Sequence, residues 1–186
     1  MTRYLSCAET AKLIRKQLKA KFPTVKFGVR SSVYAGGASI NVDWTDGPTA
    51  DMVDAVVKPF AGGGFDSMID MKYSVEAFLL PDGSASFAQT SGTAGAMGTV
   101  SAAKSFKPCA EAERVRFGAD YVFTRRNASR RLVEGALLSF RAHWGEDEAA
   151  KISLREWSDG SCHASSSDFD TQQRFYRLLN RRVIAA

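Results

Sequence analysis

Residues 6–44, SCAETAKLIRKQLKAKFPTVKFGVRSSVYAGGASINVDW, contain the helix and strand patterns from which the fold of the first part of the chain is predicted. Ser6 followed three residues later by Glu9 is a capping box, so a helix is predicted to begin here and to end before Pro23. Apolar residues recur at helical spacing and predict one buried stripe: Ala11, Ile14, Leu18 and Phe22. The opposite face of this predicted helix is basic.

Two strands are predicted to follow the helix. Residues 25–30 and 39–44 alternate apolar and polar side chains, which is typical of half-buried strands, and two glycines at 36–37 lie between them. We therefore expect an antiparallel hairpin. The sequence DGP at 46–48 ends the second strand, and Thr49 is expected to cap a second helix.

The same order of elements recurs in the last third of the chain. Ser129 is expected to cap a helix that Gly145 closes, two strands are expected to meet at a turn at 159–160, and Asp170 is expected to cap a final helix. The recurrence of the helix–strand–strand–helix order, offset by about 120 residues, predicts two related units. The alternative is that common elements recur by coincidence.

Between the two units the sequence predicts single strands and a segment of small residues. Residues 71–80 and 117–123 are each expected to form one strand, and the glycines at 62–64 are expected to end the second helix. Gly, Ala, Ser and Thr dominate residues 83–107, which bury too little apolar surface to offset their ordering entropy.

The predicted fold is therefore α+β, with antiparallel hairpins flanked by helices. We expect an N-terminal unit at 1–82, a flexible segment at 83–107 and a C-terminal unit at 108–186, unless the halves form one composite domain.

The composition argues against several classes of protein. Three widely spaced cysteines and two histidines suit neither a structural zinc site nor a disulfide framework, so reduced thiols in a cytoplasm are expected. No apolar run approaches the length of a membrane span, and no signal peptide is visible. We expect no metal, no cofactor and no membrane contact; the oligomeric state is not predicted.

Charge is distributed unevenly along the chain. The net charge is +5, yet residues 1–30 carry eight Lys or Arg and one acid, whereas residues 41–82 carry two Lys and eight acids. Basic groups that release counterions from phosphates favour nucleic-acid binding. The candidate contacts are Lys12, Arg15, Lys16, Lys19, Lys26, Arg30, Arg125 and Arg126, with Tyr34 as a stacking residue. The alternative is that these residues form solvated outer faces, and that the loop around Tyr34 is only a hairpin turn.

Two other functions remain open from the residues alone. The first is a direct protein inhibitor, whose acidic segment would contact a basic host surface: Asp43, Asp46, Asp51, Asp54, Asp66 and Asp70. The second is an enzyme using Cys162 and His163. Neighbouring residues on a strand point to opposite faces, which disfavours that nucleophile–base pair, and no catalytic residue is assigned.

Several blocks of sequence together resemble the large polyvalent protein-associated domain family, type 29, over about residues 6–125. The blocks that carry the resemblance are Glu9–Lys16, Phe22–Pro23, Lys26–Ser32, Ser39–Pro48, Val57–Phe60, Phe65–Asp70 and Arg116–Phe123. The resemblance implies a protein of a phage or other mobile element, acting in the cytoplasm of a bacterial host. Its implied partner is nucleic acid or a nucleic-acid-handling host defence complex, such as a restriction nuclease or a CRISPR-type assembly.

Overall fold

The computed structural model describes residues 2–67, 70–87 and 107–182, and shows a mixed α+β fold. The described helices are α1 (Cys7–Lys21), α2 (Ala50–Val57), α3 (Arg130–Trp144), α4 (Glu146–Ala150) and α5 (Phe169–Arg181), with a 3-10 turn at Lys58–Phe60. The described strands are β1 (Arg3–Leu5), β2 (Phe27–Tyr34), β3 (Gly37–Thr45), β4 (Gly63–Asp66), β5 (Met71–Ser74), β6 (Ala77–Leu79), β7 (Ala85–Phe87), β8 (Glu113–Phe117), β9 (Tyr121–Asn127), β10 (Ile152–Glu156) and β11 (Cys162–Ser166).

The strands form four small sheets. One has the order β1-β8-β6-β7, with β1 parallel to β8 and the other neighbours antiparallel. A second has the order β2-β3-β9, and the pairs β4-β5 and β10-β11 are antiparallel ribbons. The predicted α+β class and the repeated helix–strand–strand–helix order are confirmed, with α4 as an additional short helix in the second repeat.

The chain divides into two compact units. The first comprises Met1–Pro23, Phe27–Val42 and Val53–Thr124, and the second comprises Thr24–Lys26, Asp43–Met52 and Arg125–Ala186. The units are interleaved along the sequence, which differs from the expected division at 83–107. Residues 113–117 belong to the first unit because β8 pairs with β1 and β6. Most of the expected flexible segment, 88–106, lies outside the described residues.

Each unit has its own core. In the first unit, α1 packs against β2, its apolar stripe is buried, and Ile40 and Val115 are buried in the sheets. The Phe60 and Phe117 ring centroids lie 5.1 Å apart. In the second unit, Phe140 of α3 packs against Phe175 of α5 at 5.8 Å, within a cluster of buried residues from α3, β11 and α5. Burial of such side chains is the main stabilising term for both.

Two expected single strands are in fact pairs of strands. The predicted strand 71–80 divides into β5 and β6, because β5 pairs with β4 whereas β6 joins a different sheet. The predicted strand 117–123 divides into β8 and β9 around Gly118, whose backbone N–H donates to Leu5 O at 2.6 Å.

Two predicted helix boundaries also shift. The glycines at 62–64 do not end α2, which ends at Val57; two of them lie in β4, and a Cβ at Gly62 would collide with the carbonyl oxygen of Phe117. Asp168, not Asp170, caps α5, and its carboxylate accepts from Thr171 N at 2.8 Å.

Among the described residues, no helix has both the length and the apolarity that crossing a bilayer requires.

Candidate nucleic-acid interface

Helix α1 presents a row of four cations to solvent. Its capping box forms as predicted, with the Ser6 hydroxyl accepting from Glu9 N and the Glu9 carboxylate accepting from Ser6 N at 2.8 Å. The Ser6 hydroxyl also donates to the Glu9 carboxylate at 2.6 Å, and this bond together with the one from Ser6 N lowers the pKa of Glu9. With the apolar stripe buried, the row on the outer face is exposed: Lys12, Arg15, Lys16 and Lys19. None of the four forms an ion pair with a described carboxylate.

Two hydrogen bonds fix this helix against its neighbours. Arg15 Nη2 donates to Val29 O of the edge strand β2 at 2.6 Å, and Gln17 Nε2 donates to Asp82 O at 2.9 Å. Gly83, beside Asp82, is packed so closely that a Cβ there would lie 3.2 Å from Gln17 Nε2. The cationic row is therefore held on a rigid support, which lowers the entropy cost of binding.

The sheet β2-β3-β9 has one covered and one open face. Val29, Ile40 and Val122 are buried on the covered face, and residues adjacent to them in each strand must point to the other side. We call that side the open sheet face; in the first unit it carries Arg30, Tyr34, Tyr121 and Phe123. Tyr34 is 48% exposed and Phe123 is 52% exposed.

The aromatic pair on β9 was not singled out by sequence reasoning. The rings of Tyr121 and Phe123 stack at 6.0 Å between centroids and 29° between planes. The available signal was the alternation at 121–123, in which two aromatic residues flank a valine that is buried. Tyr121 is half-buried and Phe123 is exposed, and exposed aromatic rings are sequence-tolerant platforms for unpaired bases.

Asp120 organises the edge of the open sheet face. Its carboxylate accepts from Ala38 N at 2.9 Å and pairs with Lys72 Nζ at 2.7 Å, and Lys72 lies 6.0 Å from the centroid of the Tyr121 ring. Burial alone raises the pKa of Asp120, but the hydrogen bonds from Lys72 and Ala38 outweigh burial, so the pKa is lowered. A Cβ at Gly37 would collide with this carboxylate and lie 3.0 Å from the Tyr34 ring, so a larger residue there would displace the Asp120 side chain.

The nine predicted contact residues fall in separate places. The α1 row lies on the outer surface of the helix, whereas Arg30 and Tyr34 lie on the open sheet face. Lys26 is exposed in the second unit, and Arg125 is exposed there on β9. The structure therefore does not place all nine on one surface within a unit.

Arg126 has a structural environment that differs from that of Arg125. Its guanidinium donates to the carbonyls of Asp46 (3.1 Å), Gly47 (3.1 Å) and Arg182 (2.6 Å). Burial lowers its pKa, and the nearby Asp46 carboxylate acts in the opposite direction. These hydrogen bonds stabilise the second unit. The contacts of Arg126 therefore do not support a role for this residue in binding a partner.

Asp46 also has an internal role. It adopts φ 57°, and its carboxylate accepts from Ser129 N at 2.7 Å and from the Ser129 hydroxyl at 2.6 Å. Ser129 in turn accepts from Leu132 N at 3.3 Å and caps α3, as predicted. An acid that was a candidate partner contact is thus part of a helix cap.

Cys162 and His163 lie on opposite faces of β11, as predicted. Cys162 is buried, and burial raises the pKa of its thiol, whereas His163 is exposed. His163 Nε2 lies 2.9 Å from the hydroxyl of Tyr176. All three cysteines are free, and no cluster of three or more potential metal ligands occurs within the described part of the chain.

Comparison with known proteins identifies the family but not a closer relative. A family model described as large polyvalent protein associated domain 29 matches residues 5–129, about two thirds of the chain. This span contains the α1 row, Asp120 and the open sheet face. No curated protein and no solved structure matches the chain. The chain therefore belongs to the large polyvalent protein associated domain 29 family, which is typical of polyvalent proteins from phages and mobile elements.

Proposed function

We propose that this chain is a non-enzymatic protein of a phage or other mobile element that binds nucleic acid in the cytoplasm of a bacterial host. The observation that carries the proposal is the α1 row, in which Lys12, Arg15, Lys16 and Lys19 are exposed and form no ion pair with a described carboxylate. Family membership supports a setting in which mobile DNA meets the host.

The spacing of the α1 row suits contact with a phosphate backbone. Residues three and four apart on a helix lie about 5–6 Å apart at Cβ, and the row spans about 10 Å along the axis. Lysine and arginine at this spacing contact successive phosphates without reading base edges. The proposed contact is therefore directed to the backbone and tolerant of sequence.

The open sheet face adds a second type of contact. Tyr34 and Phe123 are each about half exposed, and Lys72 brings a cation beside Tyr121. Stacking on such rings favours unpaired bases over a closed duplex. We therefore expect unpaired bases to bind the open sheet face, whereas duplex binds through the α1 row alone.

The alternatives receive less support from the contacts. In the acidic segment, Asp46 caps α3 through Ser129, and Asp54 accepts from the Thr124 hydroxyl at 2.6 Å, so neither carboxylate is available as an unengaged partner contact. The enzyme hypothesis requires a thiolate at Cys162, whereas burial raises the pKa of that thiol.

The proposal is tested by fluorescence anisotropy with labelled single- and double-stranded DNA and RNA over a salt series. Four contacted phosphates predict a slope of log K against log salt of about −3.6 for duplex. The quadruple alanine variant of the α1 row is expected to remove most of this slope. A charge-conserving control, Lys12→Arg with Lys16→Arg and Lys19→Arg, is expected to bind like the wild type.

Absence of binding to every nucleic acid at 50 mM salt would refute the proposal, as would equal binding by the alanine variant. A host defence complex would then become the first candidate partner. Capture of such a complex by the wild type, and its loss in Asp51→Lys, would identify the acidic segment as the contact; Asp51 is exposed.

A further inference from the structure

A pocket in the second unit lies mostly beyond the part of the chain that matches the family. Its volume is about 230 Å³, and β9, α3, the β10-β11 ribbon and α5 all contribute to its wall. Sites for drug-sized ligands have volumes of about 300–1,000 Å³. This pocket is therefore suited to a smaller group, of the size of one ring system with a substituent.

The floor of the pocket is apolar and well packed. Leu132, Ala164 and Leu179 line it, and each is no more than 6% exposed. Buried Cys162 also lines it and remains a thiol, because burial raises its pKa. A flat, mostly apolar ring can displace water from such a floor at little cost.

An aromatic side chain stands at the rim. Trp157 lines the pocket and is 53% exposed, and the Arg155 guanidinium carbon lies 4.9 Å from the centroid of its ring. The cation covers one face of the indole, so a ring that enters the pocket would meet the remaining surface of the indole. Stacking on tryptophan is sequence-tolerant because every base has a π-face.

Hydrogen bonding determines the state of the histidine in the wall. The hydroxyl of Tyr176 donates its single proton to Ala164 O at 2.7 Å. His163 Nε2, at 2.9 Å from the same oxygen, must then donate to it. In the neutral imidazole this tautomer leaves Nδ1 as a hydrogen-bond acceptor.

Three polar side chains in the wall have no hydrogen-bond or ion-pair partner among the described residues. Arg125, Asn127 and Asn180 all line the pocket, and none of their side chains forms a hydrogen bond or ion pair with another described residue. The acid that interacts electrostatically with Arg125 is Asp159, whose carboxylate already accepts from Ser161 N and from the Ser161 hydroxyl. Arg125 is thus a cation available to an anionic ligand, beside two amides that can both donate and accept.

We propose that this pocket binds a single nucleotide unit, with its base against Trp157 and the apolar floor, and its phosphate on Arg125. An amide offers a donor and an acceptor together, which matches the mixed edge of an unpaired base. The inference rests on the proposed function, which it deepens by assigning the second unit to unpaired nucleotides. The same chemistry is presented by a free nucleotide and by an unpaired nucleotide within a strand.

The test uses tryptophan fluorescence of the full chain, titrated with AMP, with a deoxyadenosine pentanucleotide and with inorganic phosphate. A base stacked on Trp157 is expected to quench its emission, whereas phosphate alone is not. Trp157→Phe is expected to remove the quenching, because Trp44 is 2% exposed and Trp144 is stacked on Phe140 at 4.5 Å.

Arginine variants locate the phosphate contact. Arg125→Ala is expected to weaken binding about tenfold or more, since it removes a charge-assisted hydrogen bond. Arg131→Ala is the matched control, because Arg131 is also exposed and does not line the pocket. Nucleotide binding by this variant is expected to stay within about twofold of the wild type. Far-UV circular dichroism checks that both variants fold.

Every outcome bears on the proposal. Quenching by AMP that depends on Arg125 supports a site that accepts free nucleotides, and quenching by the pentanucleotide alone supports recognition within a strand. Absence of quenching by both probes overturns the inference, as do equal effects of Arg125→Ala and Arg131→Ala. In the quadruple alanine variant of α1, AMP quenching is expected to persist, so failure of the α1 row and failure of the pocket are distinguishable.

Discussion

Replacing Arg126 with methionine is expected to destabilise the second unit, whereas the same replacement of Arg125 is not. The Arg126 guanidinium donates to the carbonyls of Asp46, Gly47 and Arg182 and is half-buried. Arg125 is exposed, and its side chain forms no hydrogen bond with another described residue. Two adjacent arginines thus form a matched pair in which only one is structurally engaged.

The magnitude follows from the contacts that are lost. Hydrogen bonds to charged groups contribute about 1.5–3 kcal/mol each but are not additive, and partial solvent access weakens them. We therefore expect Arg126→Met to lower the free energy of unfolding by about 3 kcal/mol, and Arg125→Met to change it by less than about 0.5 kcal/mol. With an m-value of about 1.5 kcal/mol per molar urea, the Arg126 variant should unfold about 2 M earlier.

Tryptophan fluorescence during urea unfolding is a suitable assay, because Trp44, Trp144 and Trp157 all belong to the second unit. The change in emission therefore reports this unit even when the first unit unfolds separately. Free energies of unfolding of the two methionine variants that agree within about 0.5 kcal/mol, which is about the error of the method, would refute the structural role of Arg126. A lower midpoint for Arg125→Met alone would reverse the assignment.

Three further outcomes are expected. Hydrogen bonds hold the pKa of Asp120 below its ordinary value. The carboxylate therefore contributes its full stabilisation above the unfolded pKa and loses it as pH falls through the folded pKa. In thermal melts from pH 7 to pH 3, the melting temperature of Asp120→Asn should fall less than that of the wild type. Ser129→Ala should lower the free energy of unfolding of the second unit by about 1–2 kcal/mol, because it removes the side-chain cap of α3. Threonine can also cap a helix, so equal destabilisation by Ser129→Thr would contradict the capping role of Ser129. Phe140→Ala should cost about 3–5 kcal/mol in the same urea assay because Phe140 is fully buried, whereas Leu138→Ala, at a side chain that is 63% exposed, should cost less than about 0.5 kcal/mol.

Local signals in the sequence were sufficient where structure depends on neighbours along the chain. The capping box at Ser6, the cap at Ser129 and the closing glycine at 145 were predicted and are present. These interactions join residues three or four positions apart, so the pattern itself contains both partners. The exposed cationic row of α1 follows from the same periodicity, because burial of one helical face determines which residues remain outside.

Partners distant in sequence were not predictable in the same way. Residues 71–80 read as one strand, yet β5 and β6 pair in different sheets. The alternation of side chains is the same whichever strand lies alongside, so the pattern cannot select a partner. The pairing of Asp120 with Lys72, which are 48 residues apart, depends on the same long-range choices.

Sequence patterns alone were sufficient to predict the α+β class, the caps of α1 and α3, the repeated order of elements and the family. These features depend on local periodicity and on residues recognisable in a linear pattern. The tertiary structure was needed to show that Arg125 and Arg126 line the same pocket, and that only Arg126 donates hydrogen bonds to described carbonyl groups. The two arginines are identical in chemistry and adjacent in the chain, but side chains alternate along a strand. Helix α5 determines which side of that strand is buried. Its residues Leu179 and Asn180 also line the pocket, and they are more than fifty residues from Arg125 and Arg126 in the sequence.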